Sequence, residues 1–263
     1  MFPKLITIGG FFLPTYGLLT AAAFLLALWV IVKLGRRTGL DTSLLTNLGI
    51  YCALAGMLGA KLAMFLFDWS YYSTHPSEVF SLSTLQAAGV FQGGLVLAIV
   101  TAYLYTRHFR MPGLRTADAF APGIAIGHAV GRLGCFAAGC CWGARTGKPW
   151  AVTFTNPDAN KMFGTPVGIP LHPTQLYESG AELAVFGLML WRFRRAHRPG
   201  DIIGLYLIAS SALRFWIEFY RFHEQALIAG LSLTQWISLL IVAGVLVLFG
   251  RPRAEVPAGN ALV

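Results

Sequence analysis

Gly131-Arg132-Leu133-Gly134-Cys135-Phe136-Ala137-Ala138-Gly139-Cys140-Cys141-Trp142-Gly143 closes an otherwise apolar run that begins near Ala117. An arginine inside a segment of membrane length costs roughly 2.5 to 3.5 kcal/mol to insert, so it is normally kept where an anion meets it. Arg132 is therefore expected to have such a partner. Glycines 123, 127, 131, 139 and 143 recur in steps of four, with Cys135 in the gap, which on a helix leaves a face of bare backbone that neighbours approach closely. His128, Arg132 and Cys135 fall at i, i+4 and i+7, placing a base, a cation and a thiol on one side. Cys135 can equally be one more small residue in the glycine series, since a free cysteine often behaves as a small hydrophobe.

Around this stretch the whole chain is apolar. Of its 263 residues 56% are hydrophobic and 12% charged, which excludes an ordinary soluble domain. The expected fold is all-α and polytopic. Stretches long enough for ~30 Å of hydrocarbon lie near 11–32, 44–67, 86–106, 117–140, 174–191, 201–220 and 230–249. Seven transmembrane helices then make one domain over 1–263, with no room for a separate soluble module. The first stretch has no basic n-region and no clear small-residue cleavage site, so it is read as a retained span.

The net charge of +9 could suggest a nucleic-acid partner. Its distribution argues against one. Lys33, Arg36 and Arg37 follow the first span, Arg107, Arg110 and Arg115 the third, Arg192, Arg194, Arg195 and Arg198 the fifth, and Arg251 and Arg253 the seventh. These are alternate loops, so the positive-inside rule puts them in the cytoplasm, the N-terminus outside and the C-terminus inside.

Polar residues inside the spans gather toward the outer end. Tyr16 opens span one, where it is an interfacial anchor or a site residue. Lys61, after Gly56 and Gly59, either snorkels or meets a lipid phosphate. Gln92, beside Gly93 and Gly94, can bond a neighbouring helix or a headgroup. Asp118 is expected as the N-cap or a first-turn carboxylate of its own helix near the cytoplasmic face. The outer loop from Ala144 to Pro170 carries Arg145, Lys148, Trp150 and Lys161, which favours an acidic substrate. Pro173 is expected at the first position of span five, with Gln175, Tyr177 and Glu178 in its opening turns and His172 just before it. Arg214, Glu218 and Arg221 fall at i, i+4 and i+7, a charged stripe in which Glu218 serves one arginine and leaves the other needing a partner. Polar groups from five or six spans, all in the outer halves, predict a cationic cavity for an anionic lipid headgroup.

Cys52, Cys135, Cys140 and Cys141 include no pair with zinc-finger spacing, and the adjacent pair could form only a strained disulfide. A metal site from His128, Cys135, Cys140 and Cys141 is possible by ligand type, but nothing in the sequence fixes its geometry. Neither a metal nor a cofactor is expected.

Taken together, Tyr16-Gly17, Gly59-Ala60-Lys61, Phe91-Gln92-Gly93-Gly94, Asp118 to Pro122, the run from Gly131 to Gly143, His172-Pro173-Thr174-Gln175-Leu176-Tyr177-Glu178, Arg214-Phe215 with Glu218-Phe219 and Arg221, and Gln235 with Ser238 resemble the prolipoprotein diacylglyceryl transferase family of the bacterial inner membrane. The resemblance implies transfer of diacylglyceryl from phosphatidylglycerol, or a related anionic phospholipid, to the thiol of a prolipoprotein lipobox cysteine, at a site opening toward the periplasmic leaflet. It implies Arg132 and Arg214 as the cations at the departing phosphate, with Cys135, Gln92 and His128 beside them. Substrate binding would fall to Tyr16, Lys61, Gly93, Gly94, Gly143, His172, Gln175, Tyr177, Glu178, Glu218 and Arg221. The family pattern has histidine at Gln92, asparagine at Cys135 and glutamate at Cys140. Glutamine cannot be a general base at neutral pH, so the role of that histidine is lost or moved, and His128 or His172 could substitute. The alternatives are a divergent member with another acceptor or a covalent step on Cys135, and a lipid-binding or redox-responsive protein with Cys140 and Cys141 as a thiol switch.

Overall fold

A computed structural model describes residues 2–8, 11–81, 84, 89–221 and 228–249. Arg251 and Arg253, and residues 82–83 and 85–88 around the start of the third apolar stretch, lie outside them. The chain is mostly helical, in two compact units: Met1–Lys33 with Ala117–Val263, and Leu34–Thr116.

The first unit opens with an antiparallel hairpin, β1 (Lys4–Ile8) and β2 (Phe11–Pro14). Residues 11–14, expected as the start of the first span, are thus strand, and α1 (Thr15–Arg37) begins after Pro14. Proline lacks the N–H that a helix interior requires, so it stands outside the first turn. The long helices of this unit are α1, α5 (Gly113–Ala138), α7 (Thr174–Phe193), α8 (Asp201–Ile217) and α9 (Leu233–Phe249). Between α5 and α7 run β3 (Val152–Thr153), the short α6 (Pro157–Phe163) and β4 (Pro170–Leu171). The second unit holds α2 (Thr42–Phe67), α3 (Trp69–Thr74) and α4 (Phe91–His108).

Among the described residues, α1, α2 and the helical stretch Asp201–Tyr220 are long and apolar enough to cross a membrane. Their large apolar side chains face outward: Met57 is 71% exposed, Phe67 77% and Trp216 66%. Water penalises such exposure and hydrocarbon does not.

In the first unit Ala121 and Ala125 of α5, Val185 and Met189 of α7, and Ile202 and Tyr206 of α8 form a buried core. Asp118 holds one end of it. Its buried carboxylate accepts the N–H groups of Gly200 (2.6 Å), Ile202 (3.0 Å) and Ile203 (2.9 Å). The expectation that Asp118 caps its own helix is therefore corrected. α5 starts at Gly113, so its own first N–H groups lie too far back, and the residue caps α8 from a neighbouring helix.

The glycine series is only partly a packing face. A Cβ on Gly123 would stand 2.4 Å from Ile31 of α1, and one on Gly127 3.2 Å from Ala27, so these two let α1 and α5 approach. Gly131 has open space around it, and α5 ends at Ala138, before Gly139 and Gly143. Gly139 stops the helix in the left-handed conformation at φ 86°.

Candidate active site

The partner expected for Arg132 is Glu178, whose side chain is 2% exposed in the second turn of α7. Glu178 serves three cations. Its Oε2 pairs with Arg132 Nε, and its Oε1 accepts from Arg214 Nη1 at 2.8 Å and faces Arg221 Nη1 at 3.4 Å. Arg214 Nη2 also lies 3.1 Å from Glu218 Oε2. Ser232 Oγ donates to Glu218 Oε1 at 3.2 Å, and Gln235 Nε2 donates to the Phe215 carbonyl at 3.3 Å, so the entrance to α9 steadies this second carboxylate. Arg132, Arg214 and Arg221 thus gather around Glu178 and Glu218 in a largely dehydrated place.

The charged stripe is not a single helical face. α8 ends at Ile217, Glu218–Tyr220 forms a 3-10 turn, and Arg221 is extended at φ −94°. The reason lies in the backbone: Arg221 leaves the helix to pair with Gly143.

His128 stands between Arg132 and a carboxylate the sequence reading passed over. Its Nδ1 lies 3.0 Å from Glu182 Oε1, and its Nε2 accepts from Arg132 Nε at 3.2 Å. This network assigns the Nδ1–H tautomer. Ser210 Oγ also donates to Glu182 Oε1 at 3.0 Å. Glu182 was legible as a second carboxylate four residues after Glu178 in an apolar helix, a spacing that puts both on one face.

Gly143 is the seam where three motifs meet. Its N–H donates to the His172 carbonyl at 3.0 Å, and the next N–H, of Ala144, donates to the Tyr220 carbonyl at 2.8 Å. A Cβ at this position would lie 2.6 Å from Tyr220 O and 2.7 Å from His172 O, so only glycine fits. Gln175, expected to bind substrate, is fully buried and spends its amide on the Cys140 carbonyl at 2.7 Å. Pro173 stands just before the helix, with Thr174 as its first residue, one position later than expected.

His172 and Tyr177 are together: His172 Nδ1 lies 3.1 Å from the Tyr177 hydroxyl, and both rings meet Tyr220 edge-on. Trp150 Nε1 donates to the same hydroxyl at 2.9 Å, tying the long loop to α7. These rings wall an open pocket of about 710 Å³ with Lys148 and Trp216 at its side.

Beyond α5 the chain folds back. Cys141 is left-handed at φ 60°, and the sulfur atoms of Cys135, Cys140 and Cys141 lie within 4.8 Å of one another. Tyr16 is beside them, its ring 3.4 Å from where a Cβ of Gly134 would stand.

The other named residues belong to the second unit. Lys61 Nζ donates to the Thr84 carbonyl. A Cβ on Gly93 would lie 2.5 Å from Gly59 O and one on Gly94 2.6 Å from Gly56 O, so both glycines serve the crossing of α2 and α4. Gln92 is exposed in the first turn of α4.

Comparison with known proteins agrees with this arrangement of motifs. The family described as prolipoprotein diacylglyceryl transferase matches residues 3–250. A phosphatidylglycerol–prolipoprotein diacylglyceryl transferase of Bordetella parapertussis is 34% identical over 268 residues, covering 96% of this chain and 97% of that protein. One of the same name from Clostridium tetani is 32% identical over 248 residues, covering 94% and 96%. A third, from Thermosynechococcus vestitus, is 32% identical and covers 87% and 84%. With a match over nearly its whole length and relatives of this identity, the chain belongs to the prolipoprotein diacylglyceryl transferase family.

Proposed function

We propose that this protein moves diacylglyceryl from phosphatidylglycerol to the thiol of a prolipoprotein lipobox cysteine. The observation that carries the reading is the convergence of Arg132, Arg214 and Arg221 on Glu178 in a member of this family. Guanidinium groups gathered in this way suit the phosphodiester of an anionic lipid, because planar paired N–H groups match phosphate oxygens.

The reaction is displacement at carbon. The acceptor sulfur attacks the glycerol carbon, the carbon–oxygen bond breaks, and glycerol phosphate leaves with the electron pair. Arg132 and Arg214 stabilise the charge growing on that phosphate, which is the larger part of the work such donors do in a dry site. Glu178 holds both arginines in place before the lipid arrives. His128, with Nδ1 given to Glu182, orients Arg132. The aromatic pocket shares Tyr177 with the Glu178 motif, so a headgroup at the arginines and an apolar chain in the pocket can belong to one reacting assembly.

The chain acts as one bacterial inner-membrane domain of seven crossings, N-terminus outside and C-terminus inside, its site open to the periplasmic leaflet. The alternate-loop distribution of arginine supports this orientation.

Incubation of the purified protein with labelled phosphatidylglycerol and a lipobox peptide tests the reading by mass analysis of both polypeptides. A diacylglyceryl mass on the peptide with release of glycerol phosphate is expected. The same mass on the enzyme would shift the chemistry to a covalent step on Cys135, and no transfer at all would overturn the reading.

A further inference from the structure

We propose that Cys135, Cys140 and Cys141 form a zinc site whose open fourth position receives the acceptor thiol and delivers it as a thiolate. The inference rests on the transferase reading above and supplies what that reading lacks, a group that removes the proton from the incoming sulfur.

The three sulfur atoms lie within 4.8 Å of one another. Zinc–sulfur bonds of about 2.3 Å place tetrahedral thiolates about 3.8 Å apart, so small side-chain rotations close the set. The turn that collects them is held from outside. Thr165 Oγ1 donates to the Gly139 carbonyl at 2.8 Å, Gln175 Nε2 to that of Cys140 at 2.7 Å, and Thr174 Oγ1 to that of Cys141 at 2.9 Å. Three successive carbonyls each have their own side-chain clamp, two of them from the His172–Glu178 motif. Cys141 is kept at φ 60°, a conformation non-glycine residues rarely adopt unless the surroundings impose it. Simple packing of small residues needs neither the clamps nor the strained turn.

The ligand set is chemically selective. Three thiolates suit a soft or borderline metal and repel hard, oxygen-seeking cations. Three protein ligands with a vacant position is the arrangement of reactive zinc rather than structural zinc. Arg132 and Arg221 stand close enough to Cys141 for their charges to act on its sulfur. Both arginines also face Glu178, which puts the metal next to the phosphate subsite.

The need is equally specific. Gln92 cannot take a proton at neutral pH. His128 has one nitrogen on Glu182 and the other on Arg132, and His172 shares a proton with Tyr177. Zinc deprotonates a coordinating thiol outright. The step balances without an oxidant: the peptide S–H gives up its proton as the zinc–sulfur bond forms, and the thiolate attacks the glycerol carbon. In the same displacement the carbon–oxygen bond breaks and the departing glycerol phosphate carries off the electron pair, the thiol proton having passed to solvent when the zinc–sulfur bond formed. The product thioether is a neutral, poor ligand and leaves the metal.

Full-length protein purified without chelator should contain stoichiometric zinc by elemental analysis, with three sulfurs around it by X-ray absorption. Exchange for Co(II) should give a sulfur-to-cobalt charge-transfer band that changes on adding a lipobox peptide and not on adding its cysteine-to-serine analogue. Cys140→Ala and Cys141→Ser should lose the metal and the transfer together. Should those variants fail to fold, the cobalt spectrum of the unaltered chain decides alone. Peptide transfer by metal-free protein overturns the proposal and leaves the transferase reading standing. Stoichiometric zinc with a thiol-dependent cobalt spectrum, but no transfer to peptide, supports the site and overturns that reading. Copper in place of zinc, a disulfide among the three cysteines in active protein, or a cobalt spectrum indifferent to the peptide thiol overturns the proposal.

Discussion

Arg214 and Glu178, thirty-six residues apart on α8 and α7, are joined by a hydrogen bond of 2.8 Å between Nη1 and Oε1. Because Arg132 and Arg221 share the same carboxylate, removing it strands those two partly buried cations and leaves Arg214 with Glu218 alone. Breaking a buried ion pair from one side typically costs about 3–5 kcal/mol. Glu178→Gln should therefore be destabilised by that order in chemical unfolding in detergent, with transfer lost. A stability close to that of the unaltered protein would show that the arginines find their counter-charge elsewhere.

Arg132→Lys retains the charge but gives up the Nε–H that reaches both His128 and Glu178. A point charge without the planar fork cannot hold the phosphate in the same register. Turnover should fall by about 10²–10³-fold, the usual effect of losing one donor aimed at developing charge, while the thermal midpoint moves little. Lipid titration against rate separates the two parameters.

At Gly143 an added methyl meets two carbonyls and the His172 side chain at 2.6–2.7 Å. Overpacking of this kind costs roughly 1–3 kcal/mol, and here it also parts the strand-like pairing that carries Arg221. Gly143→Ala should lower stability and the lipid affinity together, whereas Gly131→Ala, with open space around it, should leave both unchanged.

One pH effect follows from Asp41, the N-cap of α2, whose carboxylate accepts Ser43 Oγ at 2.7 Å, Ser43 N at 2.8 Å and Leu44 N at 3.2 Å. The Ser43 hydroxyl first, then the two backbone N–H groups, hold its carboxyl below the ordinary value of 3.8. A pKa lowered by folding gives stability that is present above the unfolded value and is lost as pH falls through the folded one. Exchange protection at the first turn of α2 should accordingly persist at neutral and mildly acidic pH and fade only in stronger acid. Asp41→Ala should show the faster exchange at neutral and mildly acidic pH, with the difference closing in stronger acid.

The sequence made the helices and the motifs legible because both are local. Apolar length located α1, α2, α4, α5, α7, α8 and α9 to within a few residues, and the cost of burying Arg132 announced that it must have an anion. What stayed hidden depends on contacts across long separations. Asp118 reads as a cap for its own helix, and only the packing of α8 against α5 shows which N–H groups it takes. Arg221 continues a helical spacing on paper, yet it leaves the helix because Gly143, far back in the chain, offers it a backbone partner. Glu182 was in plain view as the second carboxylate of an apolar helix, but its service to His128 required the facing helix. The cysteines carry no recognised ligand spacing, since a left-handed turn at Cys141 brings them together.

The seam at Gly143 also sets a timetable. Residues 143–144 pair with His172 and with Tyr220 and Arg221, so two of the three cations come from the last third of the chain. While the nascent polypeptide is being made, Arg132 emerges long before Arg214 has been translated, and the cluster around Glu178 is still open. The ribosome must finish most of the protein before its three arginines can share one carboxylate, so the centre closes late in synthesis.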